Sequence, residues 1–391
     1  DYLKEHTKED FLELKPEPYQ KKELFKTWVK INEIEIEPRD FLYSNHYIRK
    51  YLSLTASQGG LGKSSIILTE CIAMALGIDI LGTTPKKQYK VVYFNSEDPE
   101  SEIKRRVLAI CNHYNINQDD LVGQLFISSG RDHDIIFAVD DGKINNDIFE
   151  QLKEFGLKNE IDCFVFDPLA NMTSGMLETN ENFKEVSKQL SLLADQTNTS
   201  IEIVHHTRKL NNTVADVDSI RGGSSLIASV RSARVLNPMS KEEALKAGLP
   251  SHLNHFRVDD AKNNLAQSIE KIRWFERISV QLSNEDFVAV IQPYQLPDAF
   301  DGITNEQARR VQIRCNEEQP SLHFSSKKYV GKVIAEETKM DFTNKHHKSK
   351  ISQILKTWLE NDVLEVEETH DTRSGRTVKI VVSGSQIMSS S

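Results

Sequence analysis

Between about residues 41 and 290, short apolar runs alternate with amphipathic stretches. The runs at 51–56, 91–94, 125–130, 161–166, 200–204, 256–261 and 272–280 each have the length and β-branched or aromatic content of a buried strand. Stretches at 63–77, 100–110, 145–157 and 183–196 place apolar residues at helical spacing between them. A further strand-like run, IIFAVDDG, lies at 135–142. Strands alternating with helices predict βαβ units and a mainly parallel sheet, hence an α/β fold.

The flanks read differently. Residues 1–40 are charged and helix-compatible, and Phe11, Leu24, Phe25 and Trp28 are too sparse for a core. They predict an N-terminal helical arm that docks on a neighbour, in its own chain or the next. Pro293 and Pro297, followed by DAFDG, mark a linker at 293–302 after a large domain at 41–292. Residues 303–384 predict a separate small domain with helices at 304–316, 327–339 and 344–360. The last carries Ile351, Ile354, Leu355 and Trp358 on one face. VLEVEE and TVKIVV, joined by HDTRSGR, then predict a hairpin. Three helices followed by a hairpin form a winged helix-turn-helix, used either for DNA or for protein contacts. Residues 385–391 read as a disordered tail.

At 391 residues the chain has room for two or three domains. A net charge of −9 argues against a surface that coats nucleic acid everywhere, and leaves room for a basic channel or patch. Cys71, Cys111, Cys163 and Cys315 are far apart and lack C-x-x-C spacing, so they read as reduced thiols of a cytoplasmic protein. No apolar run approaches the roughly 18 residues of a membrane span. A start at Asp1 reads as a fragment missing an N-terminal portion.

The candidate chemistry begins at YLSLTASQGGLGKSS. A strand, a glycine-rich turn and a helix opening on Lys-Ser form the arrangement that holds a triphosphate. Ser57, Gln58, Gly59, Gly60, Leu61, Gly62, Lys63, Ser64 and Ser65 make up this loop. Backbone amides face the phosphates, Lys63 reaches the β and γ groups, and Ser64 holds Mg²⁺. Ser57 stands where the usual pattern has its first glycine.

Further candidates sit at other strand ends. Glu97 follows the strand at 91–94 and can deprotonate the water that attacks a γ-phosphate. Glu97 and Asp98 equally suit the first turn of the next helix, ahead of which Pro99 stands. Asp167 ends the run CFVFD, where a carboxylate supports Mg²⁺ or caps the following turn. His205 and His206 look like a metal pair, but successive strand residues point to opposite faces, so at most one faces the nucleotide. His205 is taken as the γ-phosphate sensor; a packed histidine is the alternative. Arg231, Arg234 and Lys262 lie where basic groups can reach a nucleotide in an adjacent subunit, or are solvated surface charges. In 303–384, 14 Lys and Arg stand against 12 Asp and Glu, so DNA binding rests on placement. Lys345, Lys348 and Lys350 open the third helix, and Arg373 and Arg376 sit at the hairpin tip.

With these strings in place, residues 41–290 resemble the RecA-like ATPase of RepA-type hexameric plasmid helicases, relatives of the DnaB helicase family. The matching strings are SQGGLGKSS, VVYFNSEDP, CFVFDPL, IEIVHHTRK, SIRGGSSL and VDDAKNN. The resemblance implies ATP and Mg²⁺ as cofactors, with Lys63 and Ser64 on the phosphates and metal. It implies Glu97 as the base, Asp98 beside it on the metal side, Asp167 supporting the metal, and His205 as sensor. Arg231 or Arg234, with Lys262, would complete the site from the neighbour, an extra residue in Arg221-Gly-Gly-Ser-Ser leaving the choice open. It further implies a homohexamer that draws single-stranded DNA through loops near 169–182 and 207–219, Lys209 among them. A duplex DNA site and a primase or other replication protein are the remaining expected partners.

Overall fold

The computed structural model describes residues 27–139, 143–173, 180–208, 214–220, 223–247, 249, 251–266, 272–296, 303–371 and 375–386. The chain divides into two compact units, Asp1–Arg39 and Asp40–Ser391. In the first, the expected arm lies mostly outside the described residues. Residues 27–39 hold a single 3-10 turn, Glu33–Glu35, started by the Asn32 side chain, which accepts from the Ile34 amide.

The second unit opens with a small hairpin, β1 (Phe41–Tyr43) and β2 (Tyr47–Ile48). The helix-strand succession follows: β3 (Leu52–Ser57), α1 (Lys63–Leu76), β4 (Val91–Asn95), α2 (Glu100–Tyr114) and β5 (Leu125–Ser129). The 135–142 run resolves into the two-residue strands β6 (Ala138–Val139) and β7 (Lys143–Ile144), which pair with each other. Next come α3 (Asn146–Asn159), β8 (Cys163–Asp167), α4 (Asn180–Thr197), β9 (Ser200–His206), α5 (Gly223–Ser229), β10 (Ser232–Pro238) and α6 (Lys241–Lys246). Three long strands, β11 (His255–Asn263), β12 (Arg273–Gln281) and β13 (Phe287–Tyr294), complete the large sheet.

Among the described residues that sheet has nine strands, in the order β13-β12-β11-β10-β3-β9-β8-β4-β5. The six from β10 to β5 run parallel, and β11 to β13 are antiparallel. The fold is therefore α/β with a mainly parallel, mixed sheet, consistent with a RecA-like ATPase. Strands buried on both faces lose the polar-apolar alternation, which is why β8 reads CFVFD. One face packs Ile66, Ile67 and Ile72 of α1 and Ile103 of α2 on Tyr93, Val165 and Val204. The other packs Phe149 of α3 and Phe183 and Leu190 of α4 on Phe164, Phe166, Ile201 and Ile203.

Pro293 corrects the expected linker start: it lies inside β13, opposite Phe275. Among the described residues β13 ends the sheet order, so one side of its backbone pairs with no other strand there, and a missing N–H is tolerated. The C-terminal part contains α7 (Asn305–Glu318), α8 (Val330–Glu337), α9 (Lys345–Glu360), β14 (Leu364–Asp371) and β15 (Arg376–Ser383). Val311, Ile334, Ile351, Ile354, Trp358 and Val381 share a separate core. Outside that core, α9 also packs against α6. Among the described residues no helix is long and apolar enough to cross a membrane.

Candidate active site

β3 ends at Ser57, and the loop that follows holds Gly60 at φ 78° and Gly62 at φ 105°. Both lie in the left-handed region that glycine occupies without a Cβ penalty. A Cβ on Gly62 would also come within 3.2 Å of Ile291 Cδ1. Ser57, in contrast, is ordinary extended strand, so the absent first glycine meets no conformational demand. The first bond to the loop is Ile66 N–H to the Gly62 carbonyl, 3.0 Å. The amides of Lys63, Ser64 and Ser65 therefore have no partner inside the helix, the arrangement that receives an anion.

The parity of each strand decides what stands in front of this loop. Tyr93, Val165 and Val204 face α1, so Asn95, Asp167 and His206, two residues further along, face it too. Register aligns them: Asn95 opposes Asp167, and Ser57 opposes His206. Asp167 is fully buried and accepts from the Tyr93 hydroxyl at 2.8 Å and from the Ser64 hydroxyl. Burial raises its carboxyl above the ordinary value, against the pull of Ser64, Lys63 and Tyr93. Burial likewise pushes the Lys63 ammonium down, while the charges of Asp167 and Glu97 draw it back up.

Glu97 sits on a loop held by Asn95, whose Oδ1 accepts the Glu97 and Asp98 amides at 2.9 and 2.8 Å. Arg131 Nε donates to the Glu97 carbonyl at 3.0 Å, leaving the carboxylate half exposed at the mouth. Lys63 Nζ donates to His206 Nδ1 at 3.5 Å, and His206 Nε2 lies 3.8 Å from Glu97 Oε1. Lys63, Glu97, Asp167 and His206 thus converge on one loop. Arg277 of β12 braces it from the other side, donating to the Gly60 carbonyl at 2.7 Å.

Three of the expected site residues lie elsewhere. His205 shares the parity of Ile201 and Ile203, is fully buried, and sets its ring 5.6 Å from Phe183 of α4, so the histidine at the loop is His206. Arg234 is buried and forms a bidentate pair with Glu70 of α1, at 2.7 and 2.5 Å. Burial works against its charge and Glu70 outweighs it, so its pKa lies above the ordinary arginine value. Enclosed this way, it is not presented to a neighbour. Asp98 points to Arg106, 2.8 Å away, rather than to Asp167.

Arg231 and Lys262 remain, at the opposite end of the parallel strands, beside the start of β3. The Arg231 amide donates to the carbonyl of Leu52, where β3 begins. Lys262 Nζ donates to the Ile227 carbonyl at 2.6 Å, its pKa lowered by burial and then by the Arg231 charge. Six strand residues, about 20 Å, separate this end of β3 from the loop.

Lys209 and Arg373 lie outside the described residues, and Arg376 opposes Asp371 at the start of β15. Lys345 is exposed, Lys348 and Lys350 are half-buried, and Lys348 Nζ lies 5.4 Å above the Phe342 ring.

A buried carboxylate bonded to a helix-start hydroxyl is a hard-oxygen donor pair that suits Mg²⁺. Ser64 and Asp167 would hold the ion, and the ion would neutralise charge on the β- and γ-phosphates. No group of three His, Cys, Asp or Glu side chains fit for a metal occurs among the described residues.

A phosphate loop on a parallel-sheet core, with an acid-lined mouth, defines a P-loop nucleoside triphosphatase. A family model described as an AAA domain matches residues 16–212, half of the chain. The chain belongs to that family of P-loop ATPases, related to the DnaB and RecA-like helicases.

Proposed function

We propose that this protein is an ATP-dependent hexameric DNA helicase of the RepA type. It acts in the cytoplasm in replication of a plasmid, phage or other mobile element. The observation that carries the reading is the division of cations across the sheet. Lys63 stands with Glu97, Asp167 and His206 at one end of the parallel strands, and Arg231 with Lys262 lies about 20 Å away at the other end. One protomer cannot bring both sets to one nucleotide, whereas head-to-tail packing does so at every interface. If the rotation closes, such packing makes a ring.

In that ring Glu97 orients and deprotonates the attacking water, and Lys63 holds the γ-phosphate. His206, tied to both, registers its loss. Arg231 and Lys262 of the preceding protomer offset transition-state charge, worth about 10³–10⁵ in rate where such an arginine is known. The segment beyond His206, with Lys209, passes the change to single-stranded DNA, and a primase or other replication protein works alongside.

The C-terminal unit favours a second reading. A short three-helix core with a hairpin and a basic start to α9 suits duplex recognition, so the chain is alternatively a DNA-binding ATPase that loads or regulates without unwinding. Mass measurement with a non-hydrolysable ATP analogue, paired with unwinding of forked DNA, separates the two. A six-protomer mass and ATP-dependent strand separation are expected. Duplex binding without strand separation would establish the second reading, and a monomer at saturating nucleotide would contradict the ring.

A further inference from the structure

Glu97 lies in neither a strand nor a helix: residues 96–99 bridge the end of β4 and the start of α2. A half-exposed carboxylate on such a bridge is aimed only as well as its backbone is held. A misplacement of about 1 Å costs on the order of 10²-fold in rate. Whatever fixes that backbone therefore bears on the chemistry.

Asn95 is buried beneath this bridge, and both ends of its side-chain amide are used. Oδ1 accepts the Glu97 and Asp98 amides at 2.9 and 2.8 Å, so Nδ2 faces the other way. There it donates to the Tyr93 hydroxyl oxygen at 3.2 Å. The tyrosine in turn sends its own proton to Asp167 Oδ2 at 2.8 Å. The bonds thus run in one direction, from the Glu97 backbone through Asn95 and Tyr93 to the Asp167 carboxylate. A flipped Asn95 amide would set its NH₂ against two N–H donors and break the chain at both ends. A buried polar group with every partner in place rigidifies what it joins. The main chain repeats the tie, the Ser96 amide donating to the Asp167 carbonyl at 2.8 Å.

β5 closes on the bridge from the far side. The Ser129 hydroxyl donates to the Asp98 carbonyl, and the Gly130 amide to the Asn95 carbonyl, each at 2.8 Å. A Cβ on Gly130 would fall 2.7 Å from Ser96 Cα, so this approach requires a glycine.

We infer that Asn95 is a positioning residue for hydrolysis, which with Tyr93 sets the Glu97 carboxylate at a fixed place relative to Asp167. The inference rests on Glu97 as the base and adds what keeps the two carboxylates in register. Asn95 acts through the backbone of Glu97, so its loss should appear in the rate and not in nucleotide affinity.

Asn95→Ala, Asn95→Ser and Tyr93→Phe test this by single-turnover hydrolysis, calorimetric titration with Mg²⁺-ATP, and hydrogen exchange at the Glu97 and Asp98 amides. Asn95→Ala is expected to slow hydrolysis about 10²-fold and to keep ATP affinity within about threefold. Its two loop amides should exchange about tenfold faster or more, since they lose their acceptor. Serine returns an oxygen that accepts the amide two residues on, so Asn95→Ser should regain about tenfold of the lost rate. Tyr93→Phe removes one hydroxyl and leaves the Asn95 cap in place, so it keeps the test open if Asn95→Ala does not fold. It should slow hydrolysis about tenfold at unchanged affinity. Asn95→Ala or Tyr93→Phe at the wild-type rate, while Glu97→Gln is slow, overturns the inference and leaves Glu97 as the base. Affinity falling in step with rate, or unchanged exchange in Asn95→Ala, overturns it equally. Glu97→Gln at the wild-type rate removes the base, and the inference with it.

Discussion

Lys63 and His206 show how much one side-chain direction decides. Both sit on the face of the sheet that carries α1, and their 3.5 Å contact continues to Glu97. His205, one residue earlier, fills the opposite core against Phe183. The two histidines should therefore fail differently. His206→Ala is expected to lower kcat by about two orders of magnitude with little loss of stability. His205→Ala should leave turnover near wild type and lower the unfolding free energy by about 1–3 kcal/mol. Steady-state hydrolysis with denaturant titration of the same two variants checks both. The glycine-rich loop was legible because its glycines meet real backbone demands at Gly60 and Gly62. Which histidine faces the loop was not. β9 is buried on both faces, so the alternation of Ile201 and Ile203 with Ser200, Glu202 and Val204 does not say which face carries α1. Arg234 escaped for a related reason: its partner Glu70 lies 164 residues away on a helix, and only packing brings them together.

At the scale of elements, α1 is tied to the strands behind it by buried polar groups. Glu70 holds Arg234 of β10 and accepts from the Tyr47 hydroxyl at 2.7 Å. Glu202 of β9 accepts from Ser53 and Thr55 of β3, and His46 Nε2 lies 3.0 Å from it. Removing one partner leaves a buried charge uncompensated, so Glu70→Ala should cost about 3–5 kcal/mol in chemical denaturation. Replacing Glu70 and Arg234 together by methionine should recover most of that loss. Burial works to raise the Glu202 carboxyl, but His46 and the other partners outweigh it and hold its pKa below the ordinary value. Its contribution is thus present above the usual carboxylate range and is lost as pH falls through the lowered folded value. Glu202→Gln should flatten the acid limb of stability against pH, and an unchanged limb would contradict this role. The alternating strands and helices of the core were readable from buried apolar runs. β13 and α6 were not: one carries a proline that reads as a linker, and the other is a single short amphipathic segment.

At the scale of the molecule, Lys63 lies beyond the C-terminal end of β3, and Arg231 with Lys262 lies beside its N-terminal end. The proposed ring makes each set useless without a neighbour. Arg231→Ala and Lys63→Ala should each be inactive alone. Mixed at equal amounts, they should regain measurable hydrolysis wherever an intact Lys63 meets an intact Arg231 from the next protomer. A mixture no more active than the sum of its parts, despite demonstrated subunit exchange, would rule out supply of Arg231 by a neighbour.

The central claim is that Glu97 activates water over a nucleotide held by Lys63. Glu97→Gln keeps the shape of that side chain and removes its basicity, so single-turnover hydrolysis by this variant, with ATP binding measured on the same sample, is the most direct test. The expected result is ATP affinity near wild type with the hydrolysis rate reduced by about 10²–10⁴. Hydrolysis at the wild-type rate would place the base on another residue.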